Sequence, residues 1–409
     1  MDYTLHTLSN GLQVAVKSTT NTRIAHIGLF IDAGSRDELP TEVGMAHLLE
    51  HMLFKGTSHR NSHQVLNRLE VVGGDLNAFT TKDKTVIHAS LVKDHFTRAV
   101  ELLADVAFHS TFPEKELEKE KKVIYEEMEM YLDAPDERIF DDFQELLYPN
   151  HPLGNNILGT RETVEPFHSN NLHNFVDRVY GSNRMMLVVV APISEKRMLN
   201  TVSRYFESVP LPNGKTERIM PGKVAPFDRV VATPFNQSHG LIGGHAYALD
   251  DDKRPALMLL SNMLGGPGLN ALLNLDLREK RGYTYGVDCS YQALTDSGFF
   301  TIYWSGDPKN HRKSRRIILN RLDRLASTRI SDAQLKKYKT QFNGQLVMAE
   351  ESNSSLMFVI GRSLLDLGYV DSLNDVLEKI NSISSEELRS VSEELFTSSN
   401  LSHLSFVPE

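Results

Sequence analysis

Polar and apolar residues alternate with period two from the start of the chain. TLHTLSNGLQVAVK reads as strand-like runs around an Asn-Gly turn, and IAHIGLFIDAGSRDE as a longer strand. The period then lengthens. GMAHLLEHMLFKG places its apolar residues at helical spacing, and FPEKELEKEKKVIYEEMEMYLDAPDE, beginning after Pro113, predicts a second, highly charged helix. The same succession returns later. Strand-like GLIGGHAYALDDD leads into helical RPALMLLSNMLGG. Residues 162–192 run from a polar helix into NRMMLVVVAP, and residues 383–408 run from ISSEELRSVSEELF into NLSHLSFVP, where Ser384 and Glu387 predict a capping box at the helix start. Between the two copies lies a proline-rich stretch, 209–234, with Pro210, Pro212, Pro221, Pro226 and Pro234; it predicts an extended linker. The pattern predicts an α+β protein of two homologous half-domains, 1–208 and 235–409, each a mainly antiparallel sheet packed with helices.

Composition narrows the picture. The chain has 409 residues, 40% hydrophobic and 24% charged, which suits a globular protein of more than one domain. Its net charge is −9 and it shows no long basic stripe, so nucleic acid is not an expected partner. No apolar run reaches the length of a membrane span; MMLVVVAP is far too short. The N-terminus lacks a basic stretch followed by an apolar one, so no secretion signal is expected. A single cysteine, Cys289, excludes intramolecular disulfides and Cys-rich metal sites, and a cytoplasmic location is expected.

Candidate chemistry is concentrated in His47-Leu-Leu-Glu50-His51. Side chains four apart on a helix stack on one face, so the two imidazoles form a pincer for a divalent metal, with zinc the usual occupant. Glu50 projects beside that pincer, where a general base for water belongs. Aligning MLFKG with MLGGP sets Met258 against His47, Ser261 against Glu50 and Asn262 against His51, so the second copy keeps the apolar spacing without the metal chemistry. A catalytic zinc needs a third protein ligand. On the charged helix Glu120, Val123, Ile124 and Glu127 share one face, expected to point inward; a carboxylate held inward wants a partner, and a metal is one. Spacing alone does not choose among Glu120, Glu126 and Glu127.

The chain resembles the M16 family of zinc metallopeptidases (inverzincins), in particular bacterial relatives of mitochondrial processing peptidase. The resemblance runs through LSNGLQVAV, IDAGSRDE, GMAHLLEHMLFKGT, GGDLNAFTTKDKT, KEKKVIYEEM and LREKRGYTYGV. It implies a zinc-dependent endopeptidase with one Zn2+ per chain, held by His47, His51 and Glu127, with Glu50 as general base and Glu120 as a supporting acid. It further implies that Asn77, Ala78, Phe79 and Thr80 offer backbone groups to an extended peptide, that Phe54 lines a side-chain pocket, and that Arg278 and Tyr285 hold the substrate carbonyl and stabilise the oxyanion. Two features depart from the pattern: Pro267 in the loop LGGPGLNALLNLDLRE, and Ala191-Pro192 where relatives carry Gly. The implied substrates are short or unfolded peptides enclosed in a clamshell of four half-domains, hence a homodimer of this chain, with a heterodimer as the alternative. The acidic balance favours basic peptides. The rival expectation is a non-catalytic or partner-dependent member of the family.

Overall fold

Two sheets organise the chain. A computed structural model describes residues 2–214 and 217–409; Met1, and Lys215 and Thr216 of the expected linker, lie outside the described residues. The first sheet contains β1 (Thr4–Thr7), β2 (Gln13–Ser18), β3 (Ile24–Ile31), β4 (Asp75–Thr80), β5 (Thr85–Val92) and β6 (Met185–Ala191), in the order β1-β2-β6-β3-β5-β4. The second contains β7 (Asp228–Thr233), β8 (Ser238–His245), β9 (Val287–Ala293), β10 (Gly298–Gly306) and β11 (Ser402–Pro408), in the order β7-β11-β8-β10-β9. Without β1, the two orders correspond strand for strand. The parallel pairs β2·β6 and β7·β11 fall at the same place, and the other pairings are antiparallel. The repeat predicted from the sequence is therefore a repeat of topology, and the fold is α+β as expected.

Burial explains the sequence patterns. β6 is an interior strand covered on both faces, and every residue of MMLVVVA is buried, so it reads as a continuous apolar run. In β3 the faces separate. Ile27, Leu29 and Ile31 enter the main core with Leu48, Met52, Phe96, Val100, Leu103 and Phe206 from the helices. Phe30 points the other way, with Val86, Met186, Val188 and Val190, onto Met357, Ile360 and Leu364. Each fully buried side chain of this kind contributes about 1.5–3 kcal/mol.

Those last residues belong to the helix Asn353–Leu367, far along the chain from the sheet it covers. The chain divides into two compact units, Met1–Met128 with Asn155–Ile219 and Ala349–Asp371, and Glu129–Gly154 with Met220–Met348 and Ser372–Glu409. The units thus differ from the linear division at 209–234, because each takes a segment from the other half. The helix Pro135–Leu147 packs Ile139, Phe143 and Leu147 on Leu241, Phe299, Leu404 and Phe406 of the second sheet. An apolar face goes wherever it is best covered, and local spacing does not reveal where that is.

Two local expectations need correction. The end of the expected linker is strand: β7 pairs parallel with β11. It lies at the sheet edge, where the flanking Pro226 and Pro234 cost no ladder bonds. On the charged helix, Glu114–Leu132, the inward residues are Leu117, Glu120, Lys121, Ile124 and Tyr125, whereas Val123 is 45% exposed. A helix turns 3.6 residues per turn, so a position next to an inward Ile124 readily falls outside a narrow stripe. At Ser384 the hydroxyl accepts from the Glu387 N–H, which is one of the two bonds of the predicted capping box. Among the described residues no helix is long and apolar enough to cross a membrane.

Candidate metal centre

His47 and His51 project from the helix Met45–Met52, with ring centroids 4.6 Å apart. This helix begins abruptly. Its N-cap, Gly44, has φ 96°, and a Cβ there would lie 2.7 Å from the Leu158 carbonyl oxygen, so only glycine fits. The buried Glu38 carboxylate accepts from the N–H groups of Gly44 (3.1 Å) and Ala46 (2.8 Å), satisfying donors that the helix start leaves open.

Glu127 reaches this helix from Glu114–Leu132. Its Oε2 lies 3.7 Å from His47 Nε2 and 3.6 Å from His51 Nε2. These distances are long for hydrogen bonds. They suit ligands around a shared ion, since two atoms about 2.0–2.1 Å from a tetrahedral centre are about 3.3 Å apart. Among the described residues, these three form the one group of His, Cys, Asp or Glu side chains whose ligand atoms all lie within 4.8 Å of one another. His47 is 8% exposed and its Nδ1 has no hydrogen-bond partner. Burial, with His51 adding to it, pushes the His47 pKa down to about 3, so the ring stays neutral and able to ligate. The donor set, two imidazoles and a carboxylate, fits a catalytic zinc.

Around this group the neighbours are polar. Glu120 Oε2 accepts from His51 Nδ1 at 3.2 Å, and Lys55 Nζ lies 2.6 Å from Glu120 Oε1. With its proton held at Nδ1, His51 presents its Nε2 lone pair toward Glu127. Burial alone would lower the His51 pKa; the hydrogen bond to Glu120 and the charges of Glu127, Glu120 and Glu50 outweigh it and raise it. Burial likewise opposes ionisation of Glu120, but His51 and Lys55 prevail and hold its pKa below the usual carboxylate range. Burial raises the pKa of Glu127 against the pull of His51. It also raises that of Glu50, although the neighbouring Thr80 pulls it the other way. A carboxyl shifted upward is a better proton acceptor near neutral pH than an ordinary one.

Edge strand β4 brings Thr80 to Glu50. Its register places Phe79 opposite Val86 and Asn77 opposite His88, and the hairpin closes with the Thr81 N–H donating to the Lys84 carbonyl. Hydrogen-bonded pairs alternate along an antiparallel ladder, so Asn77 and Phe79 direct their backbone groups at β5. Leu76, Ala78 and Thr80 direct theirs at the open edge. This corrects the expectation that all of 77–80 offer backbone groups outward. The Ala78 N–H is already held by Asn77 Oδ1 at 2.9 Å.

The remaining expected residues are Phe54, in the first unit, and Arg278 and Tyr285, in the second. Phe54 is partly buried and packs on the main core. Arg278 and Tyr285 belong to the second unit: Arg278 sits in the short helix Leu275–Glu279, its guanidinium 5.2 Å from the Tyr285 ring centroid, and Tyr285 is 87% exposed. Nearby Asp276 braces this segment through Arg321 and Lys280. In the second copy, Asn262, at the position matching His51, donates through Nδ2 to Gln345 Oε1, and Ser261, at the position matching Glu50, is buried, so that helix packs where the first one ligates. Sequence reasoning missed Lys55 and Glu38. Lys55 could have been noticed four residues after His51. Glu38 carries no local signal, because its bonds to 44 and 46 depend on how the loop folds back.

Known proteins resemble this chain in sequence and in fold. Residues 13–161 match the model of insulinase (peptidase family M16), and residues 166–342 that of the peptidase M16 inactive domain. The uncharacterized zinc protease YmxG of Bacillus subtilis is 32% identical over 392 residues, 96% of this chain and 95% of that protein. The uncharacterized zinc protease Rv2782c of Mycobacterium tuberculosis is 31% identical over 396 residues, 96% and 90% of the two chains. A crystal structure titled peptidase M16 inactive domain, from Pseudomonas fluorescens, shares the fold with TM-score 0.93 at 18% identity, covering 100% of this chain and 98% of that one. A protease from Helicobacter pylori follows, with TM-score 0.89 at 22% identity and coverage of 100% and 99%. This chain belongs to peptidase family M16.

Proposed function

We propose that this protein is a zinc-dependent endopeptidase acting on short or unfolded peptides. The observation that carries the reading is the group His47, His51 and Glu127, two neutral-capable imidazoles and a carboxylate at ligand spacing with a half-buried acid, Glu50, alongside. The relatives named zinc proteases support the choice of metal. Bound there, one zinc per chain supplies a Lewis acid that polarises a peptide carbonyl and acidifies water.

The chain's own groups do the rest. Glu50 takes a proton from the attacking water at its carboxylate oxygen and returns it to the leaving amine. Glu120 holds the proton on His51 Nδ1 and so keeps the ring oriented. Ala78 and Thr80 offer edge carbonyls to an extended peptide, which adds to β4 as a further strand; Asn77, whose amide already reaches the edge, contacts that peptide. Phe79 lines its side-chain path, and Phe54 supports a neighbouring pocket. Arg278 and Tyr285 are the proposed donors to the developing oxyanion, since a guanidinium and a phenol both stabilise negative charge. A homodimer, bringing four half-domains together, is the proposed working form, in the cytoplasm.

Hydrolysis of an unstructured, internally quenched peptide tests the reading. Zinc-loaded protein should cleave it; Glu50→Gln should lower the rate at least a hundredfold with the metal still bound, and chelation should abolish it. If zinc-loaded wild type cleaves none of several peptides, the protein is a non-catalytic or partner-dependent member of the family instead.

A further inference from the structure

The helix Asn353–Leu367, which covers the face of the first sheet away from the metal-binding helix, carries Arg362 to the side of edge strand β4. Its guanidinium lies 5.7 Å from the centroid of the Phe79 ring. Arg362 is exposed, and among the described residues no carboxylate pairs with it. The acid one turn on, Asp366, is engaged by Lys84 at 2.5 Å. Phe79 is held firmly, with Phe358 at 5.8 Å and His88 at 6.1 Å between ring centroids. Burial lowers the pKa of His88, so it adds no positive charge at neutral pH. Asp75 lies on the same face of β4, but four residues away, about 13 Å along the strand. Arg362 is therefore an unmatched charge beside the strand that would receive a peptide.

Register says which peptide residue meets it. A peptide pairing with β4 places the side chain opposite Phe79 on the same sheet face as Phe79, the face occupied by Arg362. Residues opposite Ala78 and Thr80 turn instead toward the face that carries Thr80 and its neighbour Glu50. The residue opposite Phe79 is thus next to those at the reacting centre. We propose that Arg362 is a specificity-determining residue of this protein, selecting peptides with a carboxylate side chain at the position paired with Phe79. The proposal rests on the peptidase reading of the site. It also sets a local preference against the global one, since a net charge of −9 alone would favour basic peptides.

The test uses ten-residue quenched peptides of Ala, Ser and Gly around one Phe, with Glu, Gln or Lys moved through each position. Cleavage is read as kcat/KM on the zinc-loaded full chain, and binding separately by fluorescence anisotropy. Wild type should favour Glu over Lys at one position by about fivefold, the scale of a partly exposed ion pair. Arg362→Gln should level that ratio and Arg362→Glu should invert it, which a merely structural role would not do. Equal handling of Glu and Lys at every position, or a Glu preference surviving in Arg362→Glu, overturns the proposal. If peptides bind with an invertible charge preference but none is cleaved, the specificity stands and the peptidase reading fails; if none binds, both fail.

Discussion

At the residue scale, the centre depends on carboxylates held in different states by their surroundings. Glu120 is drawn down by His51 and Lys55, whereas Glu50 is pushed up by burial, and so one orients while the other accepts a proton. Glu120→Gln should keep the fold yet weaken zinc binding by about ten- to a hundredfold, as loss of a ligand's orienting partner does; competition with a chelating dye measures it. A second buried acid makes a pH prediction away from the metal. Asp105, buried at 3% exposure, meets His59 at 2.7 Å, Thr57 at 2.9 Å and Arg60. Burial opposes its ionisation, but those hydrogen bonds and the Arg60 charge prevail and lower its pKa. A depressed folded-state pKa adds stability above the unfolded value near 3.8, which disappears as pH falls through the folded value. Asp105→Asn should therefore cost about 3 kcal/mol at pH 7 in denaturant unfolding, and the gap from wild type should narrow below about pH 4.

At the element scale, the metal-binding helix is short, eight residues, and its placement comes from its ends more than from its own propensity. Glu38 ties its first turn to the loop after β3. The same loop is tied to the β4–β5 hairpin: the Ser35 and Arg36 N–H groups donate to the carbonyls of Thr81 and Lys82. Helix and edge strand are thus set relative to each other through residues 34–38. Glu38→Ala removes an acceptor from two amides and should destabilise the first unit by about 1–3 kcal/mol, with a loss of zinc affinity out of proportion to the fall in Tm. An unchanged affinity in the folded variant would show that the helix holds its position without Glu38.

At the scale of the whole molecule, long-range packing determines which parts of the chain belong to one compact unit. Past the first half, the chain is held where Arg218 meets Asp37 at 2.7 Å, Asp32 at 2.9 Å and the Asp83 carbonyl at 2.8 Å, while Arg184 shares the same acids. Arg218→Ala leaves buried Asp37 short of a partner. It should destabilise the first unit by about 3 kcal/mol and make residues 209–227 easier to cleave in limited proteolysis. Zinc removal should leave the fold intact, because the main core of the first unit closes without the ligand side chains: circular dichroism of the chelated protein should match that of the loaded one, while its Tm falls by the lost binding energy.

Much of this was legible in one dimension. The run from His47 to His51 is local helix geometry, and its four-residue spacing alone puts both rings on one face. The doubled succession of strand and helix, and the all-apolar β6, likewise follow from period and burial. Other features needed the folded chain. Glu127 rather than Glu120 faces both imidazoles, and Val123 turns outward, because the rotation of a charged helix is set by what it packs on. Glu38 and Lys55 matter only through partners the fold brings near. The helices Pro135–Leu147 and Asn353–Leu367 each close a sheet from the other half of the chain, and with the second comes Arg362. Spacing along a chain determines which side chains share a face; which face meets which is decided by burial across the molecule, where distance in sequence counts for nothing.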